Sequence, residues 1–165
     1  MDDAERAVRL AQTAEDKALE ATALNALGRI VGMSRSAVEG IELLELARER
    51  ASSSNVPSQA AVADLNLAYL ANASGDPAGA ESHTRRGLEL EGVYPATVAM
   101  LRANRGLARA CAGDLDGALA LQLAAIRTAG LAGSRACARR AVACLHLYLA
   151  RRTCRGQAPS PKRSR

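Results

Sequence analysis

The chain predicts an all-α protein, an α-solenoid of antiparallel helix pairs with about seven or eight helices. Three observations carry this. Hydrophobic residues make up 48% of the 165 positions, yet there is no Phe or Trp and only three Tyr, so the apolar fraction is dominated by Ala and Leu. These are the strongest helix formers, and Ala lets helices approach closely; runs rich in Val, Ile, Thr and aromatics, which favour strands, are absent. Small residues recur at fixed intervals: Gly28 and Gly40, Ala68 and Ala80, Gly106 and Ala118. Finally, "NLAYLANASGDPAGA" from Asn66 and "NRGLARACAGDLDGA" from Asn104 share a Gly-Asp break inside otherwise helical text.

The elements follow in order. "DDAERAVRLAQTA" opens with acidic residues suited to a helix N-terminus and sets Ala4, Val8 and Ala11 on one face. "DKALEATALNALGRIVG" and "RSAVEGIELLELARERA" form a pair. "SSSNVP" (52–57) reads as the clearest loop, closed by proline. "SQAAVADLNLAYLANAS" and "PAGAESHTRRGLELE" pair across Gly75-Asp76-Pro77. There Gly takes the left-handed conformation that ends a helix, Asp caps the next and Pro fills its first turn. "TVAMLRANRGLARACA" and "LDGALALQLAAIRTA" pair across Gly113-Asp114 by the same device. A last helix covers roughly 133–152, giving a helical-repeat domain over 1–152, and "TCRGQAPSPKRSR" (153–165) reads as a disordered basic tail.

The second helix of each pair obeys one rule. Ala4/Val8/Ala11, Gly40/Leu44/Ala47, Ala80/Thr84/Gly87 and Ala118/Gln122/Ala125 share offsets of four and seven, which lie on one helix face. Small side chains there let paired helices approach, while larger Leu and Ile fill the seams to the next pair.

These residues resemble the tetratricopeptide repeat, whose signature has Leu-Gly or Leu-Ala in the first helix and Ala-x3-large-x2-Ala in the second. Leu27-Gly28 and Leu67-Ala68 match, as do the four second-helix sets. The large aromatic of the first helix and the terminal Pro are missing, and Arg105 stands before Gly106 where Leu is usual. The alanine-rich repeats are similar to those in the arm of bacterial LuxR-family ATP-binding transcriptional regulators. That resemblance implies a protein or peptide interaction module in a signalling or transcriptional regulator, without catalysis of its own.

Composition narrows the function further. No apolar run approaches the ~20 residues that cross a bilayer, and the acidic N-terminus is not a secretory signal. Cys111, Cys137, Cys144 and Cys154 form no CxxC pair, which fits reduced thiols and a cytoplasmic location. Neither phosphate-binding nor dinucleotide-binding glycine motifs occur, and no cofactor is expected. His83 is beside Ser82, but helix neighbours point about 100° apart and cannot form a nucleophile–base pair; His83 reads as solvated. Cys137, Cys144 and His146 span too much of the helix circumference for a metal site. Glu42, Glu45 and Glu49 read as a solvated acidic stripe with local ion pairs.

In stacked helix pairs the first helices line the concave face. Projecting them sets Asn25, Arg29, Asn66, Tyr69, Asn72 and Asn104 toward a groove, with His146 at the corresponding place in the last helix. An Asn side chain donates and accepts, so a row of them holds the backbone of an extended peptide without reading its sequence. The alternative is that each Asn bonds to backbone or to the adjacent repeat. Charge is segregated: residues 1–134 hold 13 basic and 17 acidic side chains, and 135–165 hold nine basic ones and no acid. The basic end offers a second reading, an adaptor at nucleic acid, but it lacks stacking aromatics beyond Tyr148 and any recognition helix. The last helix keeps Val142, Leu145, Tyr148 and Leu149 around most of its circumference, which points to self-association or further flanking repeats at the ends.

Overall fold

The computed structural model describes residues 2–131, with Gly133 and Arg135 beyond them, and these form seven helices and no strand. They are α1 (Asp2–Thr13), α2 (Lys17–Ser34), α3 (Ala37–Ser53), α4 (Pro57–Ala73), α5 (Pro77–Leu88), α6 (Pro95–Cys111) and α7 (Leu115–Leu131). None of the described helices is long and apolar enough to cross a membrane.

The punctuation works as local chemistry dictates. Gly75 and Gly113 adopt positive φ, and Asp76 and Asp114 then accept hydrogen bonds from the Gly79 and Gly117 amides at 2.9 and 2.8 Å. Asp16 and Ser36 cap α2 and α3 in the same way. Pro57, Pro77 and Pro95 occupy first turns, where no amide is missed. The stretch 52–57 is shorter as a loop than its serines suggest. Ser52 and Ser53 complete α3, and the chain reverses at Asn55, which takes φ 54°, a conformation Asn tolerates.

Short turns make α2/α3, α4/α5 and α6/α7 antiparallel pairs. Each helix packs on its chain neighbours, and α2, α4 and α6 also pack side by side; among the described residues no helix touches one more than two places away. The pairs therefore stack in chain order, with the first helices forming one layer.

Small residues set the approach within each pair. A methyl group on Gly40 would lie 2.8 Å from the Gly28 carbonyl oxygen, and one on Gly28 would lie 2.8 Å from Leu44. All three members of the second-helix sets in α3, α5 and α7 are buried, as are Val8 and Ala11 of α1. Leu44, Leu67 and Leu101 fill the seams. Two positions on the shared face are polar. Thr84 returns its hydroxyl to the Ala80 carbonyl at 2.8 Å, and Gln122 donates to the Ala103 carbonyl at 2.8 Å beside Gly106, which leaves room for its amide.

Side-chain ties join successive layers. Glu20 accepts from Gln12 and Arg50, linking α1, α2 and α3. Asp64 of α4, fully buried, accepts from Arg48 of α3 at 3.2 Å and Arg86 of α5 at 2.5 Å. Burial pushes the Asp64 carboxyl above its ordinary value against the pull of Arg86 and Arg48. Burial pulls the Arg86 guanidinium down, but Asp64 and Glu45 outweigh it and hold it above its usual value. Glu81 of α5 binds Arg105 at 2.6 Å and Arg109 at 3.3 Å on α6, which explains the arginine where the repeat pattern has Leu. Burial would raise Glu81, and the two guanidiniums overcome it and lower its pKa.

Candidate functional site

The layer of first helices carries an open groove of about 280 Å³, lined by Arg29 and Met33 of α2, Leu65, Asn66 and Tyr69 of α4, and Met100 and Asn104 of α6. Each helix contributes two residues four apart: Arg29/Met33, Leu65/Tyr69 and Met100/Asn104. This spacing turns one stripe of each helix outward, and the side-by-side packing of α2, α4 and α6 aligns the three stripes.

Four of the residues expected on this face, Arg29, Asn66, Tyr69 and Asn104, come together in the groove. Asn25 and Asn72 do not. Asn25 is buried and donates to the Gln59 carbonyl in the first turn of α4 at 3.2 Å. Asn72 donates to the Asn104 carbonyl of α6 at 3.1 Å. Both tie one first helix to the next, the alternative the sequence left open, and each keeps a buried carbonyl oxygen without a hydrogen bond. Asn104 spends its amide on the Met100 carbonyl at 3.0 Å, so it forms groove wall more than donor. His146, Tyr148 and the basic stretch from 136 onward lie outside the described residues.

Arg29 differs from its counterparts in charge pairing. Arg35, Arg48, Arg50, Arg85, Arg86, Arg105 and Arg109 all have carboxylate partners, and Arg102 bonds the Thr128 hydroxyl. Among the described residues of α2 to α6, Arg29 is the one arginine without a side-chain partner, and it is exposed. The Asn66 amide on the facing helix is also unpaired. The groove thus offers a free cation and a free amide, flanked by two thioethers, a leucine and a phenol ring. Met33, Leu65 and Met100 were not singled out from the sequence; their four-residue spacing from Arg29, Tyr69 and Asn104 is the signal that finds them.

His83 is half-buried instead of solvated, with Nδ1 3.3 Å from Arg86 Nη2. Burial and the adjacent Arg86 charge lower its pKa, against the pull of Glu45, Asp64 and Asp76. Of the acidic stripe, Glu45 is held by Arg86 at 3.2 Å and Glu49 by Arg50 at 3.4 Å.

No protein-family model matches the chain, and no curated protein does. Among solved structures, the crystal structure of BtubC (BKLC) from P. vanneervenii matches with a TM-score of 0.58 and 20% identity, over 91% of this chain and 70% of that one. At that identity the likeness is one of fold alone.

Proposed function

We propose that this chain is a non-catalytic docking module that holds an extended peptide across α2, α4 and α6. A carboxylate of the peptide sits against Arg29, its backbone bonds the Asn66 amide, and an apolar side chain rests on Met33, Leu65 and Met100. The observation that carries this reading is the unpaired Arg29 beside the unpaired Asn66, where the other arginines of α2 to α6 are held by carboxylates or, for Arg102, by the Thr128 hydroxyl. A guanidinium binds a carboxylate by charge-assisted, bidentate hydrogen bonds, and methionines adapt to apolar groups of varied shape. The lining combines charge, amide and apolar contact without an acid–base pair, which suits binding better than turnover.

The resemblance to repeat arms of bacterial regulators supports a sensor or scaffold role within a signalling or transcriptional regulator. Selection from a random peptide library tests the reading. Sequences enriched on the wild-type chain should share an acidic residue beside an apolar one and be lost on Arg29→Glu. Equal enrichment on both proteins would refute it.

A further inference from the structure

The internal repeat shows which faces a stack of this kind covers. Ile30 of α2 stands where Leu70 stands in α4 and Ala108 in α6, by the spacing that carries Gly28 onto Ala68 and Gly106. Leu70 is 3% exposed and packs with Leu44 and Leu67 in the space beside Gly32; Ala108 is equally buried. Ile30 is 36% exposed. Leu10 of α1 stands where Leu46 stands in α3, by the spacing from Ala4 to Gly40. Leu46 packs on the core around Leu24 and Ala47, while Leu10 is 59% exposed. Leu19, in the first turn of α2, is 51% exposed. Ala4 is only partly buried, where Gly40, Ala80 and Ala118 are buried. The α1/α2 edge is therefore built like the edges that α3/α4 and α5/α6 bury against a preceding pair. What fits such an edge is a first-type helix lying on α2 as α2 lies on α4.

The chain encodes a segment with those properties. The sequence over 133–152 reads as a first-type helix that is apolar on more than one side through Val142, Leu145, Tyr148 and Leu149. Its charge is complementary to the edge. Arg135, Arg139, Arg140, Arg151 and Arg152 come without an acid, and α1 opens with Asp2, Asp3 and Glu5. We propose that residues 136–152 of one copy dock on the α1/α2 edge of a second copy. There they supply the first-type partner for α1 and continue the stack from one chain into the next. The contact joins two different surfaces, so it is head-to-tail and open to growth beyond a dimer.

Sedimentation velocity on the 165-residue chain over a range of concentrations tests this. Wild type should form species that grow past a dimer as concentration rises. Leu19→Glu with Ile30→Glu, both at exposed positions, should leave a monomer with unchanged far-UV circular dichroism. That variant keeps its own 136–152 segment, so mixing it with wild type should shorten the assemblies by capping them. Asp2→Lys with Asp3→Lys, at surface positions that cannot disturb the core, should weaken association severalfold at low salt, and the difference should fade at high salt. Three outcomes would overturn the proposal: a wild type that stays monomeric up to about 1 mM, association unchanged by the charge-swapped residues and by the paired glutamates, or growth that stops at a dimer unaffected by the variant.

Discussion

Arg86 on α5 reaches the buried carboxylate of Asp64 on α4 at 2.5 Å while its Nη2 holds Glu45 on α3 at 3.2 Å, so one guanidinium spans three helices. The two sides of this tie are unequal. Both arginines on Asp64 are partly exposed, but Asp64 has no access to water. Replacing Arg48 and Arg86 together by Met leaves a buried carboxylate without a counter-ion and should cost about 3–5 kcal/mol near neutral pH. Asp64→Ala frees two guanidiniums that still reach solvent and should cost less, about 1–3 kcal/mol. Urea unfolding followed by circular dichroism gives the order; a reversed order would contradict it. Acid should narrow the gap. A carboxyl whose folded pKa lies above its unfolded value binds its proton first in the folded state, so the double variant regains stability as pH falls.

Glycine is required at the α2/α3 crossing and dispensable near the end of α7. Gly40→Ala forces a methyl into the backbone of Gly28 and Gly32 and should destabilise by about 1–3 kcal/mol. Gly130, which has nothing among the described residues within 4 Å of an added methyl, should respond oppositely. Gly130→Ala removes unfolded-state entropy and should stabilise by about 0.4–1 kcal/mol. Thermal unfolding of the two variants checks both signs.

His83 should make the fold acid-sensitive just below its ordinary pKa of 6.5. Its folded pKa is lowered by burial and by Arg86, so within the window from 6.5 down to the folded value the unfolded chain holds more protons. Stability then falls as pH falls through that window. His83→Gln should flatten this part of the profile relative to wild type. Superimposable profiles from urea titrations at successive pH values would show that the imidazole is not shielded.

Much of the architecture was legible because its requirement is steric and local. A small residue is needed wherever two axes cross, and a Gly-Asp turn wherever the chain reverses. Hence Gly28/Gly40, the second-helix sets and the breaks at Gly75 and Gly113 stand out without an alignment. The Asp64 tie was not legible, since its arginines come from 16 and 22 positions away and the residue sits within the apolar run "AAVADLNLAYL". The groove was half legible. Helical projection finds the outward stripe, but not that the start of α4 and the middle of α6 pass close enough to take the amides of Asn25 and Asn72.

The Arg29 contact is the centre of the functional reading, and a charge-exchange titration tests it most directly. A library-selected peptide, titrated calorimetrically, should lose at least about tenfold in affinity on Arg29→Glu, or roughly 1.4 kcal/mol. The same peptide with its acidic residue changed to lysine should lose as much on wild type and recover on Arg29→Glu. A peptide whose affinity ignores both changes, or a swap that fails to restore binding, would contradict the account.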